Sequence, residues 1–345
     1  MPKINKSKRK SMKSILSAAV IIPVTLASGI MSLRGSASSE NGDLTTKPQH
    51  RQLAAREPTF PGTSGLDFKG MKENIGDLWE PFDKEMDTAV FSMVPKSGTT
   101  TLESYMSACL HMVTVSDMGK DYVDDSLEVI SLRNNSYVNV NTMRQDGIAH
   151  ADELNLARNG LADVVITRNL HQVAEQVFSP SYKGRLFTLM RDPVDRVASL
   201  YYHYLQKGET APTLSDFASS PSLYLDNYST RQLVGKSLKG STLTMQDLED
   251  AKIVLAHKVL IGLSSNYIES IDRFTKYFGW KKDAECLGYL LNEGGRTSNP
   301  HPKLEPGLID RKAIEAANQF DVLLYEFAEG LFEQQGRLFE DTPLE

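Results

Sequence analysis

Apolar residues along the chain fall into two rhythms. Short unbroken runs at 88–94 (TAVFSMV), 163–167 (DVVIT), 185–190 (RLFTLM) and 259–263 (VLIGL) have the length and composition of buried strands. Between them the period lengthens. Leu102, Tyr105, Met106, Cys109 and Leu110 recur at helical spacing. So do Val194, Val197, Ala198, Tyr201 and Leu205, in a helix that can take Pro193 in its first turn. Thr244 and Asp247 form a helix-start pattern before 248–257, and 268–278 and 311–335 read as closing helices. Strand, loop and helix in repetition predict an α/β fold, a central mainly parallel sheet flanked by helices in three layers. Ligands of such sheets gather beyond the carboxyl ends of the strands. The loops after Val94, Thr167, Met190 and Leu263 are therefore the informative ones.

The amino-terminal region follows neither rhythm. Residues 1–13 carry six basic side chains and no acid, and 14–33 (SILSAAVIIPVTLASGIMSL) carry no charge at all. At ~1.5 Å per residue, 20 helical residues span roughly one hydrocarbon thickness. This predicts a cytosolic basic tail (1–13), a transmembrane signal anchor (14–33) and a single-pass type II protein. The small residues at 35–38 leave a cleaved signal peptide, and hence secretion, as the alternative. From 34 to 85 the chain is rich in Ser, Gly, Thr and Pro without sustained period, a stem or linker before a folded domain at 86–340.

Charge narrows the partners. The whole chain is at −6, so without its basic tail the remainder is at −12, unsuited to general nucleic-acid binding. Two cysteines, Cys109 and Cys286, exclude a disulfide-built scaffold and a multi-cysteine zinc module, and can be bridged or free. Two sequons begin at Asn134 and Asn227.

Two loops carry chemistry. Pro95-Lys96-Ser97-Gly98-Thr99-Thr100 lies between a strand and a helix. Gly98 lets backbone approach an anion, helix-start N–H groups can cradle it, Lys96 adds charge and Thr99 and Thr100 add hydroxyls. The glycine and lysine order of a nucleotide-triphosphatase loop is missing, which counts against a nucleotide-dependent kinase. After the 185–190 strand, Arg191-Asp192-Pro193 leads into a helix bearing Arg196 and Ser199. Arg191 and Ser199, about two helical turns apart, could share a second phosphate. Alternatively Arg191 belongs to a cap network with Asp192 and Asp195.

Together these segments, Val94 to Thr100 and Arg191 to Tyr202, resemble sulfotransferases that use 3′-phosphoadenosine 5′-phosphosulfate (PAPS). The likeness is to the membrane-anchored carbohydrate type that includes heparan sulfate 2-O-sulfotransferase, and it extends weakly over about 88–339. It implies a P-loop-like fold, a Golgi membrane enzyme with a lumenal domain, a glycan or polysaccharide acceptor and no metal. It further implies that Lys96, Ser97, Gly98, Thr99 and Thr100 hold the 5′-phosphosulfate and that Arg191 and Ser199 hold the 3′-phosphate. Arg296 and Ser298, in a third basic loop at 295–303, would close over the donor.

Sulfuryl transfer also needs a base for the acceptor hydroxyl. The 2-O-sulfotransferase group has a His-x-His on the strand before the Arg-Asp-Pro strand, where this chain reads Thr167-Arg168-Asn169-Leu170-His171. His171, displaced toward the helix, and Glu175, one turn beyond, are the candidates. The missing histidine pair keeps open a catalytically impaired lumenal glycan-binding protein. Arg231 could contact donor or acceptor, or simply pack.

Overall fold

The structure is a computed structural model that describes residues 62, 68–119, 125–208, 212–238, 241–292, 302–305 and 307–340. The basic tail, the anchor and most of the stem lie outside them. Among the described residues no helix is long and apolar enough to cross a membrane.

The first half runs α1 (Lys69–Glu73), β1 (Thr88–Ser92), α2 (Thr99–Ser104), β2 (Val113–Val115), β3 (Val129–Leu132), β4 (Asn135–Val138), α3 (Gln145–Glu153), α4 (Leu156–Asn159), β5 (Val164–Thr167) and α5 (Leu170–Gln176). Then come β6 (Gly184–Met190), α6 (Pro193–Gln206), α7 (Leu214–Ala218), α8 (Tyr228–Leu233), α9 (Met245–Lys258), β7 (Val259–Leu263), α10 (Tyr267–Phe278), α11 (Ala284–Asn292), α12 (Ile309–Ala317) and α13 (Gln319–Gln335).

Seven strands form one sheet in the order β3-β4-β2-β5-β1-β6-β7. All pairs are parallel except β3 with β4. Val90 of β1 faces Val165 of β5 on one side and Leu186 of β6 on the other. From β1 the chain leaves toward β2 and later returns across the sheet to β6. The strand order therefore reverses at β1, and a crevice opens beyond its carboxyl end.

The strands read as unbroken apolar runs because helices cover both faces. Ala89 and Phe91 share one core with Phe187, Leu189 and Phe274, whereas Val90 shares the other with Val165, Leu186 and Val254. Each such side chain, buried on folding, contributes about 1.5–3 kcal/mol for the larger residues. Thr244 caps α9 in a capping box with Asp247, as its sequence pattern predicts.

Four features depart from or settle the sequence reading. Residues 68–85, read as the end of the stem, are packed on the body, with Met71, Ile75 and Leu78 at most 2% exposed. The buried Arg185 clamps them by pairing with Asp87 at 2.7 Å and donating to the carbonyls of Asp77, Glu80 and Pro81. The β3–β4 hairpin has no apolar run to announce it; it turns at Arg133 and Asn134, both at positive φ. The closing helix divides at Asn318, whose carboxamide accepts from the Asn227 N–H at 3.0 Å. Finally, Cys109 and Cys286 form a disulfide that ties the end of the helical stretch following α2 to α11.

Candidate active site

Just beyond β1 the backbone makes two left-handed turns. Lys96 has φ 69° and Gly98 φ 89°. Gly98 meets this demand without a Cβ, which would stand 3.1 Å from the Tyr267 ring. Lysine does not, so position 96 carries backbone strain that the surrounding contacts hold. Gly98 is the N-cap residue of α2, and no side chain caps that end. The first-turn N–H groups of α2 thus remain for an anion or solvent.

Beyond β6, Asp192 caps α6 by accepting from the Asp195 N–H at 2.9 Å, with Pro193 in the first turn. Arg191 reaches across to the β1 loop, where Nη1 donates to the Lys96 carbonyl at 3.1 Å. Beyond β7, the Ser264 hydroxyl lies 2.6 Å from the Ser97 carbonyl oxygen and 3.0 Å from that of Met190. Three strand ends are laced together in this way.

They enclose a cleft of about 630 Å³ lined by Lys96 to Thr101, Arg191 and Ser199, with Ser264, Tyr267, Lys303 and Tyr325 among the remaining walls. Lys96, Arg191 and Lys303 bring positive charge to it, and Asp192 and Asp195 negative charge. Burial lowers the Lys96 ammonium from its ordinary pKa, and the like charges of Arg191 and Lys207 lower it further. Burial likewise lowers Arg191, against the opposing pull of Asp195 and Asp192. The Ser97 side chain is completely buried and its hydroxyl has no hydrogen-bond partner among the described residues. Cations that repel one another beside an unused hydroxyl are stabilised by a bound anion.

The two loops singled out by sequence thus converge, Lys96, Ser97, Gly98, Thr99 and Thr100 facing the same space as Arg191 and Ser199. His171 and Glu175 do not join them. The His171 Nε2 lies 2.8 Å from the Leu233 carbonyl, which fixes that nitrogen as the donor. Its ring meets Phe68 edge-on and Gly235 closely, and burial lowers its pKa toward the neutral form. Glu175 is exposed near the place where α1 crosses α5 at Gly70. Arg231 pairs with Asp226 at 3.0 Å and donates to the Ser241 carbonyl at 2.7 Å, a packing role. Arg296 and Ser298 lie outside the described residues, although Lys303 of the same loop lines the cleft. Among the described residues no cluster of three or more His, Cys, Asp or Glu side chains could hold a metal ion.

Sequence reasoning missed Tyr267 and Tyr325, which no motif marks. Ser264 was within its reach, because the loop after Leu263 is one of the strand ends where ligands gather.

No protein-family model matches the chain, and no curated protein matches it. Among solved structures, the mouse sulfotransferase SULT7A1 complexed with PAP is similar at 14% identity over 76% of this chain and 86% of that one. Its TM-score of 0.35 is too low for the likeness to carry an argument.

Proposed function

We propose that the chain is a sulfotransferase that moves the sulfuryl group of PAPS to a carbohydrate hydroxyl. The observation that carries this reading is the convergence of the 96–100 loop with Arg191 and Ser199 on one cleft at the reversal point of the sheet. Two anion sites side by side suit a donor with a phosphosulfate at one ribose carbon and a phosphate at another. A cleft of about 630 Å³ is in the range of nucleotide sites.

The residues fit that donor. The Ser97 hydroxyl, the first-turn N–H groups of α2 and Lys96 would hold the phosphosulfate, and Arg191 with Ser199 the 3′-phosphate. When bound, the donor supplies a sulfuryl group whose departure leaves negative charge on the bridging phosphate oxygen. Lys96 and the oriented N–H groups stabilise that charge without reorganising, because the strained loop and the Arg191 contact already hold them in place.

The carbohydrate acceptor and the Golgi lumen belong to the same reading. The disulfide supports it, because such bonds persist in oxidising compartments. The 14–33 segment would be the anchor, or a leader lost on secretion. A body at −12 favours a neutral or modestly charged glycan, and rates that rise with glycan sulfation would overturn that choice. The Asn227 sequon carries no glycan in this reading. Its side chain is 4% exposed and accepts from the N–H groups of Phe320 and Asp321.

Calorimetric titration of the full chain with 3′,5′-adenosine bisphosphate, with ATP as the control, tests the donor site. Selective micromolar binding is expected. Absence of binding to folded protein would sink the reading.

A further inference from the structure

Glycine loosens the backbone on both of its sides, so the two peptide groups flanking Gly98 are the ones in the 96–100 loop most able to turn over. A planar trans peptide points its carbonyl and its N–H in opposite directions. Which edge meets an anion is therefore decided by where the carbonyl is held. An N–H edge attracts an anion and a carbonyl edge repels it.

Both carbonyls are held from one short segment, Ser264 to Tyr267, just beyond β7. The Ser264 hydroxyl has one proton to give, and the Ser97 carbonyl at 2.6 Å is nearer than that of Met190 at 3.0 Å. The Gly98 carbonyl accepts from the Tyr267 hydroxyl at 3.3 Å, beside a 3.4 Å helical bond from the Leu102 N–H. Burial, with the charge of Glu103 on α2 adding, raises the Tyr267 hydroxyl above its ordinary pKa, so it keeps its proton and donates. The Glu103 carboxyl is itself pushed up to about 7, chiefly by burial. Opposite the two carbonyls stand the N–H groups of Gly98 and Thr99, which make no hydrogen bond among the described residues. Both residues line the cleft with Ser97, whose buried hydroxyl also lacks a hydrogen-bond partner among the described residues.

Resting on the sulfotransferase reading, we propose that Ser264 and Tyr267 are positioning residues. By holding the carbonyls of Ser97 and Gly98, they aim the N–H groups of Gly98 and Thr99 at the 5′-phosphosulfate of the donor. Having given its one proton to the Ser97 carbonyl, the Ser264 hydroxyl has none for a phosphate, so it acts through the loop. Without it, the peptide between Ser97 and Gly98 is free to present its carbonyl to the cleft, and a bound phosphate meets a negative edge. The 3′-phosphate, held by Arg191 and Ser199, does not depend on these peptides. The effect is therefore confined to one end of the donor.

The test uses the full chain and calorimetry with two probes, adenosine 5′-phosphate and adenosine 3′-phosphate. Ser264→Ala should weaken binding of the 5′-phosphate about tenfold, the loss of one hydrogen bond to a buried carbonyl. Tyr267→Phe keeps the ring and loses only the hydroxyl, so it should weaken the same probe about threefold. Both variants should bind the 3′-phosphate within about twofold of wild type. Ser264→Thr, which keeps a hydroxyl, should restore most of the affinity. In protein labelled with nitrogen-15 glycine, the Gly98 amide proton should move downfield on adding adenosine 5′-phosphate, and should move less in Ser264→Ala. Equal losses for the two probes overturn the proposal, because a cleft that has merely loosened loses both. Unchanged 5′-phosphate binding in Ser264→Ala overturns it as well. Wild-type protein that binds neither probe nor 3′,5′-adenosine bisphosphate overturns the sulfotransferase reading itself, a distinguishable result.

Discussion

The two sides of β1 are built differently. Toward β6 and β7, loops from three strands are bonded to one another through Arg191, Ser264 and the carbonyls of Lys96, Ser97 and Met190. Toward β5, the most conspicuous titratable side chain of the following helix, His171, is spent on the Leu233 carbonyl and on packing against Phe68. The difference teaches that an anion site can be held by backbone and loop lacing, which short motifs encode. A proton-transfer group has to be left over by packing, and no short motif encodes that.

Removing Lys96 should have the largest effect. Lys96→Ala is expected to lower turnover about 10³-fold, by analogy with the loss of one oriented transition-state donor, as measured by single-turnover transfer of labelled sulfuryl. A loss under tenfold would break the assignment of that side to leaving-group stabilisation.

Arg191→Ala comes next. It should weaken 3′,5′-adenosine bisphosphate by about 2–3 kcal/mol, the range of a charge-assisted hydrogen-bond pair, while adenosine 5′-phosphate binds nearly as before. Equal losses for both ligands in calorimetry would mean that Arg191 supports the loop and does not read the 3′-phosphate.

Stability against pH sharpens the comparison from the other side. A carboxyl raised in the folded state favours folding fully below its unfolded pKa of 4.5 and loses that benefit as pH rises through about 7. Glu103→Gln should therefore be more stable than wild type at pH 8, by roughly 3 kcal/mol at most, with the gap shrinking toward acid. Urea unfolding at several pH values checks the sign, and a gap independent of pH would refute the buried position.

The smallest catalytic effect is expected at His171. His171→Gln should cost about 1–3 kcal/mol of stability through its disturbed bond to Leu233, with donor affinity unchanged and kcat within a few-fold. A hundredfold fall in kcat at preserved folding would return the base to α5 and sink the comparison.

Much of the fold is legible in the chain because its central strands are buried on both faces. They read as apolar runs at 88–94, 163–167, 185–190 and 259–263, and β1, β5, β6 and β7 lie within or nearly coincide with them. The edge hairpin β3–β4 is only half covered and mixes polar with apolar residues, so it stays silent. Residues 68–85 look like linker because their Gly, Pro and charged content outweighs three buried apolar side chains, and the group that recruits them, Arg185, lies about a hundred positions away.

Sequence by itself determined the parallel sheet, the strand ends that matter and the two loops that line the cleft, since each depends on residues close together in the chain. Only the tertiary structure decided that the two loops share one cleft, that Cys109 meets Cys286, that Asn227 is walled in and that His171 bonds the Leu233 carbonyl. Those outcomes depend on which groups burial brings together and which it leaves without partners. The free energy of a carboxylate or a histidine is set by neighbours from distant parts of the chain, and no local pattern records them.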